Sequence, residues 1–128
     1  MPAILIVDDE PTIRALVRSV LEGRGYRTVE AADGISALKL AVPERPDLIL
    51  LDVALPGLSG LEVCRRLKNS PATASIPVLL LTGVLQQAER QIGADAGAQG
   101  FIAKPFSPAA LVAQIDEALR QHAAIAPR

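Results

Sequence analysis

The chain alternates throughout between short apolar runs and longer segments of helical periodicity. The apolar runs, each too short for a helix, cover 4–7, 48–51, 78–81 and 101–103. Between these runs, apolar residues recur at spacings of three and four, as they do from Ile13 to Leu21. Strands that alternate with helices predict a doubly wound α/β domain, in which right-handed crossovers place helices on both faces of a parallel sheet.

Prolines, glycines and capping residues set the expected boundaries of the elements. Pro43 and Pro46 bracket a turn, and Ser107 caps the last helix. The second strand contains Arg27 and Glu30, so we place it at an edge, whereas the first, third and fourth strands are uniformly apolar, as central strands are. We predict strands at 3–8, 27–31, 47–52, 78–82 and 100–104, and helices near 10–23, 35–41, 61–67, 85–97 and 108–122.

Length and composition indicate one domain. Half of the 128 residues are apolar, which is enough for a single core, and we assign 1–122 to this domain and 123–128 to a tail or the start of a linker. The net charge of −1 argues against a general binder of nucleic acid or of membrane surfaces, and the apolar run from Ile76 to Leu81 is far too short to span a bilayer. The single cysteine, Cys64, and the lack of a signal-peptide pattern fit a reducing cytoplasm.

Polar side chains follow four of the five predicted strands, and only the second strand lacks one at its carboxyl end. Asp8 and Asp9 follow the first strand, while Asp52, Thr82 and Lys104 end the third, fourth and fifth. Because the carboxyl ends of parallel strands open on one edge, we expect these five residues to meet in one pocket. Three close carboxylates repel one another unless a hard cation such as Mg²⁺ neutralises them. The set therefore predicts a metal-assisted phosphoryl site with a carboxylate nucleophile.

These residues and their neighbours resemble the signature of response-regulator receiver domains. The matching residues are Ile6-Val7-Asp8-Asp9-Glu10, Asp33-Gly34, Asp52 with Pro56 and Gly60, Thr82, Ala96-Gly97-Ala98 and Lys104-Pro105-Phe106. Each motif is weak alone, but their order and spacing over essentially the whole chain are specific. The resemblance implies a flavodoxin-like (βα)5 fold with sheet order 2-1-3-4-5 and a role as the phosphoacceptor of a two-component phosphorelay.

The resemblance also implies roles for the residues of the pocket. Asp52 would accept a phosphoryl group from the phosphohistidine of a histidine kinase or a phosphotransfer protein. Asp8, Asp9, Asp52 and the backbone carbonyl of Ala54 would hold Mg²⁺, with Mn²⁺ as an alternative. Lys104 would pair with Asp52 and then with the phosphoryl group, aimed inward by a cis peptide bond to Pro105.

Two further residues would carry the signal outward. Thr82 would move toward the phosphoryl group, and Phe101 would change rotamer behind it. The expected output face is the fourth helix, fifth strand and fifth helix, where a downstream effector or a second copy would bind; its candidate residues are Leu85, Gln86, Arg90 and Phe101.

Beyond its own phosphorylation and slow dephosphorylation, the domain would not act as an enzyme. The dephosphorylation is expected to be slow because Ala54 and Val84 are apolar where side chains could organise an attacking water.

Two other functions fit parts of the pattern. A phosphatase of the haloacid dehalogenase type also uses an aspartate nucleophile, but it needs a second acid two residues later, where this chain has Ala54. A degenerate receiver that serves only as a scaffold would lack an acid or the lysine, and this chain has both. Taken singly, Asp8 and Asp9 could cap a helix, Thr82 could be a plain strand residue, and Phe101 could belong to the core.

Overall fold

Five parallel strands form one sheet in the order β2-β1-β3-β4-β5, which confirms the predicted doubly wound fold. A computed structural model describes residues 2–83 and 87–125 of the chain. The strands are β1 (Ala3–Val7), β2 (Arg27–Ala31), β3 (Leu48–Asp52), β4 (Val78–Thr82) and β5 (Gly100–Ala103). The helices are α1 (Pro11–Glu22), α2 (Gly34–Glu44), α3 (Gly60–Lys68), α4 (Gln87–Asp95) and α5 (Pro108–Ile125).

The central strands are buried on both faces because their side chains alternate between two apolar layers. Leu5 and Ile49 belong to the layer that α2 and α3 cover, whereas Ile4 and Leu50 belong to the layer that α1 and α5 cover. Every residue of β1 and β3 is buried, which explains why these strands read as unbroken apolar runs. β2 is an edge strand, as its two charged residues indicated.

Two helices extend further than their sequences suggested. Pro43 lies inside α2, which ends only at Glu44; the proline sits in the last turn, where its missing N–H removes a single hydrogen bond, and Arg45 then turns to the left-handed region with φ of 46°. α5 continues to Ile125, because Ala123 and Ala124 are strong helix formers, so 123–125, which we assigned to the tail or linker, belong to this helix.

The fourth helix is shorter than expected where the structure describes it. α4 ends at Asp95, two residues before the predicted end at 97. Its predicted first residues, Leu85 and Gln86, lie outside the described residues, as do 126–128 of the expected tail. Over the described ranges, no helix combines the length and the apolar composition that crossing a bilayer requires.

The strand order reverses beside β1. The chain leaves β1 to form β2 on one side and later returns to form β3 on the other. The segments that follow β1 and β3 therefore run in opposite directions from the carboxyl ends of these strands. In open α/β sheets, a crevice lies between two such segments. This crevice is where Asp8, Asp9 and Asp52 were predicted to meet.

Candidate functional site

Asp8 and Asp9 follow directly after β1, and the two differ sharply in exposure. The Asp8 side chain is fully buried, whereas Asp9 is exposed. The Asp8 N–H donates to the Ala31 carbonyl at 3.2 Å, which extends the pairing of β1 with β2 by one step. Asp8 Oδ1 accepts a hydrogen bond from the Glu10 N–H at 2.9 Å, so the carboxylate stabilises the turn that leads into α1.

Asp52 is the last residue of β3 and is only 4% exposed. Its Oδ1 accepts a hydrogen bond from the Ala54 N–H at 3.2 Å. The loop that follows returns so closely that a Cβ on Gly60 would lie 2.1 Å from the Asp52 carbonyl oxygen. Glycine at position 60 therefore lets the loop close over the strand end, where α3 begins.

The three carboxylates lie together, as the sequence predicted. Asp8, Asp9 and Asp52 each offer an oxygen, and these oxygens lie within 4.8 Å of one another. Burial raises the pKa of Asp52 above its ordinary value, and the negative charge of Asp8 raises it further, while Lys104 and the Ala54 N–H act in the opposite direction. A cluster of oxygen donors with excess negative charge suits a hard divalent cation.

Lys104 reaches the cluster from the end of β5. Its Nζ lies 3.0 Å from Asp8 Oδ2 and 3.3 Å from Asp52 Oδ1, so it contacts both acids and not Asp52 alone. Burial by itself would lower the pKa of the ammonium, but the hydrogen bonds and charges of Asp8 and Asp52 outweigh it and raise the pKa above its ordinary value. The peptide bond from Lys104 to Pro105 is cis.

Thr82 stands at the same edge of the sheet. It ends β4, lies opposite Ala103 in the register and is partly exposed. Its carbonyl accepts a hydrogen bond from the Lys104 N–H at 2.8 Å, which joins the ends of β4 and β5. Gly83 follows and is exposed, while Val84, the second position expected to affect an attacking water, lies outside the described residues.

Phe101 lies further back in β5, half-buried against the core layer that includes Leu80. Its ring rests on α4 where that helix has a glycine: a Cβ on Gly93 would lie 2.6 Å from both Cε1 and Cζ of the ring. A glycine in the middle of a helix costs about 1 kcal/mol relative to alanine, and here it provides the space that the ring occupies. The position of Phe101 thus depends directly on α4.

Sequence reasoning missed Arg14 in α1, which contacts the Asp8 backbone, and Glu30 in β2, which contacts Arg14. Arg14 Nη1 donates to the Asp8 carbonyl at 2.6 Å, and Arg14 Nε donates to Glu30 Oε1 at 3.2 Å. Glu30 stands one residue before the carboxyl end of β2, so this strand also supplies a polar group close to the site. The available signal was a pair of arginines at i and i+4, Arg14 and Arg18, on a helix that follows the acids.

The comparisons with known proteins agree with this geometry. The profile of the response regulator receiver domain family matches residues 4–116. The DNA-binding dual master transcriptional regulator RpaA of Synechocystis sp. is 45% identical over 121 residues, which cover 94% of this chain and 50% of RpaA. The chain thus spans about half the length of the curated relatives it matches.

Two solved structures share the fold over nearly the whole chain. The chemotaxis protein CheY4 of Vibrio cholerae is 34% identical with a TM-score of 0.89, and the match covers 92% of this chain and 98% of CheY4. The receiver domain of the sensor histidine kinase PA1611 of Pseudomonas aeruginosa, which has a magnesium ion in its active-site cleft, is 32% identical with a TM-score of 0.85; 93% of this chain and 98% of that one are covered. The chain therefore belongs to the receiver domain family of two-component response regulators, whose members accept a phosphoryl group.

Proposed function

We propose that Asp52 is the residue that accepts the phosphoryl group. The observation that carries the proposal is the position of its carboxylate, 3.3 Å from the Lys104 ammonium and within 4.8 Å of the oxygens of Asp8 and Asp9. Asp52 ends a central strand next to the point where strand order reverses, so it lies at the crevice where open α/β sheets bind ligands.

Asp8, Asp9 and Asp52, together with the backbone carbonyl of Ala54, would hold Mg²⁺, with Mn²⁺ as an alternative. The cluster fits because all of its side-chain donors are oxygens and because its negative charge exceeds what Lys104 neutralises. The related receiver of PA1611 has magnesium in its active-site cleft. When bound, the ion supplies positive charge beside the phosphoryl oxygens.

The reaction is a transfer between two nucleophiles. An Asp52 oxygen attacks the phosphorus of a phosphohistidine, the P–N bond breaks, and its electron pair returns to the imidazole nitrogen of the donor. The product is an acyl phosphate on Asp52. Lys104 then exchanges its 3.3 Å contact with Asp52 for the new phosphoryl oxygens, and the Thr82 hydroxyl donates a hydrogen bond to them. The chain thus catalyses its own modification.

The donor would be a histidine kinase or a phosphotransfer protein, and the signal would leave through α4, β5 and α5. Movement of Thr82 would make room for Phe101 to change rotamer, and Phe101 contacts α4 directly through Gly93. Arg90 is exposed on this face, while Leu85 and Gln86, also expected there, lie outside the described residues. A downstream effector or a second copy of the chain would bind this face.

The similarity to RpaA and the net charge of the chain bear on where the domain acts and what it binds. RpaA, of which this chain matches about half, is a DNA-binding regulator. With a net charge of −1, residues 1–122 would act as the receiver and would not themselves bind nucleic acid or a membrane, and 123–128 would lead out of the domain. The cytoplasm, where phosphohistidine donors and Mg²⁺ are available, would be its compartment.

Beryllofluoride, a mimic of the phosphoryl group, tests the proposal. With Mg²⁺ present, its addition should shift the amide resonances of 52, 82–83 and 101–104. Asp52→Asn preserves the shape of the side chain but cannot bond beryllium, so this variant should show no shift. Equal shifts in the variant, or no response in the original protein, would rule out Asp52 as the acceptor. A phosphatase would instead turn over phosphomonoesters.

A further inference from the structure

Arg14 is bonded to the peptide group that joins Asp8 to Asp9. Its Nη1 donates to the Asp8 carbonyl oxygen at 2.6 Å, and its side chain is only 17% exposed. The Asp8 N–H is already paired with the Ala31 carbonyl, so both sides of the Asp8 backbone are held. This contact places the Arg14 side chain beside the acidic site and not on the solvated face of α1.

A hydrogen bond to this carbonyl constrains both acids. Because the peptide group is planar, holding its C=O restricts the ψ angle of Asp8 and also orients the N–Cα bond of Asp9, about which the Asp9 side chain turns. The bond therefore limits the positions that both side chains can take. The constraint matters most for Asp9, which is exposed and so lacks the surrounding packing that holds buried Asp8.

Glu30 holds the guanidinium in place. Its Oε1 accepts from Arg14 Nε at 3.2 Å, and its Oε2 accepts from Arg18 Nη1 at 2.6 Å. The planar guanidinium can donate in two directions at once, to Glu30 on β2 and to the Asp8 carbonyl after β1. Partly exposed ion pairs of this kind add little to stability, so the main effect of these bonds is to orient the Arg14 guanidinium.

We propose that Arg14, held by Glu30, is a positioning residue for the Asp8–Asp9 pair and thereby sets the affinity of the acidic site for Mg²⁺. The inference rests on the proposed function, because it requires that the cation bind there. The sign of the change in Mg²⁺ affinity on removing Arg14 distinguishes this positioning role from a simple effect of charge. Removing a positive charge near three carboxylates would by itself tighten Mg²⁺ binding, whereas losing the orientation of the ligands would weaken it.

The test compares Arg14→Met with Arg18→Met in the full chain, titrated with MgCl₂ and followed by calorimetry and by the amide shifts of residues 8–10. Both variants remove one positive charge and one bond to Glu30, but only Arg14→Met removes the bond to the Asp8 carbonyl. Groups that orient metal ligands typically contribute ten- to a hundredfold to affinity, so we expect Arg14→Met to bind Mg²⁺ about tenfold more weakly. Arg18→Met should bind as tightly as the original protein, or more tightly.

Arg14→Lys provides the rescue, since lysine keeps the charge and can donate to the Asp8 carbonyl, but its donors share one nitrogen and cannot span the carbonyl and Glu30 as the planar guanidinium does. Its affinity should lie between those of the original protein and Arg14→Met, and it serves as the primary variant if Arg14→Met does not fold. Unchanged or tighter binding in Arg14→Met, or equal weakening in Arg14→Met and Arg18→Met, would overturn the inference. If the original protein and Arg18→Met both fail to bind Mg²⁺, it is the proposed function that fails.

Discussion

The Lys104 ammonium lies closer to Asp8 than to Asp52, at 3.0 Å against 3.3 Å, although 96 residues separate Lys104 from Asp8. Asp8 is fully buried and is therefore the carboxylate that most needs a cation when no metal is bound. Lys104 thus neutralises Asp8 while it remains within reach of Asp52. In the proposed reaction, the ammonium would exchange Asp52 for a phosphoryl group while it keeps its contact with Asp8.

Lys104→Met should destabilise the protein in the absence of divalent ions. The change leaves buried Asp8 next to Asp52 with no cation, and we expect the free energy of unfolding at pH 7 to fall by about 2 kcal/mol. Because the pKa of Lys104 is raised in the fold, its contribution is complete below pH 10.5 and is lost only as the pH rises through the higher folded value. Urea denaturation measures the loss; no loss at pH 7 would show that the ammonium does not stabilise the acids.

Asp52→Asn should stabilise the protein in the absence of divalent ions. It relieves the repulsion between Asp52 and Asp8, and Lys104 keeps its shorter contact with Asp8, so without Mg²⁺ the variant should be more stable than the original protein at pH 7 by about 1 kcal/mol. Because the pKa of Asp52 is raised in the fold, the folded state binds more protons between pH 3.8 and that higher value. The contribution of Asp52 to stability is therefore greatest at low pH and is lost as the pH rises.

The stability difference between the original protein and Asp52→Asn should accordingly shrink as the pH is lowered from 7 toward 4, which denaturation at a series of pH values measures. Added Mg²⁺ should stabilise the original protein more than the variant. A difference that grows as the pH falls would contradict the account of the acidic cluster.

Gly93→Ala tests the contact between α4 and Phe101. The new Cβ would lie 2.6 Å from two ring atoms, so the ring must move or the helix must shift, and overpacking of this kind costs on the order of 1–3 kcal/mol. The better helix propensity of alanine returns about 1 kcal/mol, so we expect a net loss of roughly 1 kcal/mol in the free energy of unfolding. In a Phe101→Ala background the same change should be neutral or stabilising, because the ring is gone. An equal cost in both backgrounds would show that the ring and the glycine are not coupled.

The acyl phosphate on this protein should decay slowly. Ala54 is exposed beside Asp52 and offers no side-chain group that could orient a water, and Val84 is also apolar. We expect the double change Ala54→Asn with Val84→Glu to alter the decay rate measured in Mg²⁺ after the donor is removed. Val84→Leu, which keeps position 84 apolar, is the matched control. An unchanged decay rate in the double variant would refute this explanation.

Much of the fold and the acidic site could be predicted because a parallel sheet gathers its strand ends by topology alone. Asp8, Asp52 and Lys104 each follow an apolar run, and any parallel arrangement of those runs brings them to one edge. Helix limits were harder to predict. Pro43 suggested a stop, yet a proline in the final turn disturbs only one hydrogen bond, and the alanines at 123 and 124 extend α5.

The contacts that hold the site could not be predicted from the pattern along the chain. Arg14 and Glu30 are polar residues on half-exposed elements, which describes most charged residues of any surface. Their importance depends on how α1 lies across β2, and that follows from packing rather than from periodicity. From the sequence alone, Gly93 only lowers the helix propensity of α4. Its role becomes clear from the structure, where the Phe101 ring packs against it.

The most direct test of the central claim is the mass of the protein after incubation with phosphoramidate, a small donor that carries a P–N bond as phosphohistidine does. We expect the original protein to gain one phosphoryl group when Mg²⁺ is present and none when it is chelated, with the group located on Asp52 by peptide mapping. Asp52→Asn should gain none under either condition. A gain located on another residue would contradict the assignment of Asp52 as the acceptor, and a gain that is independent of Mg²⁺ would contradict the role of the metal in the transfer.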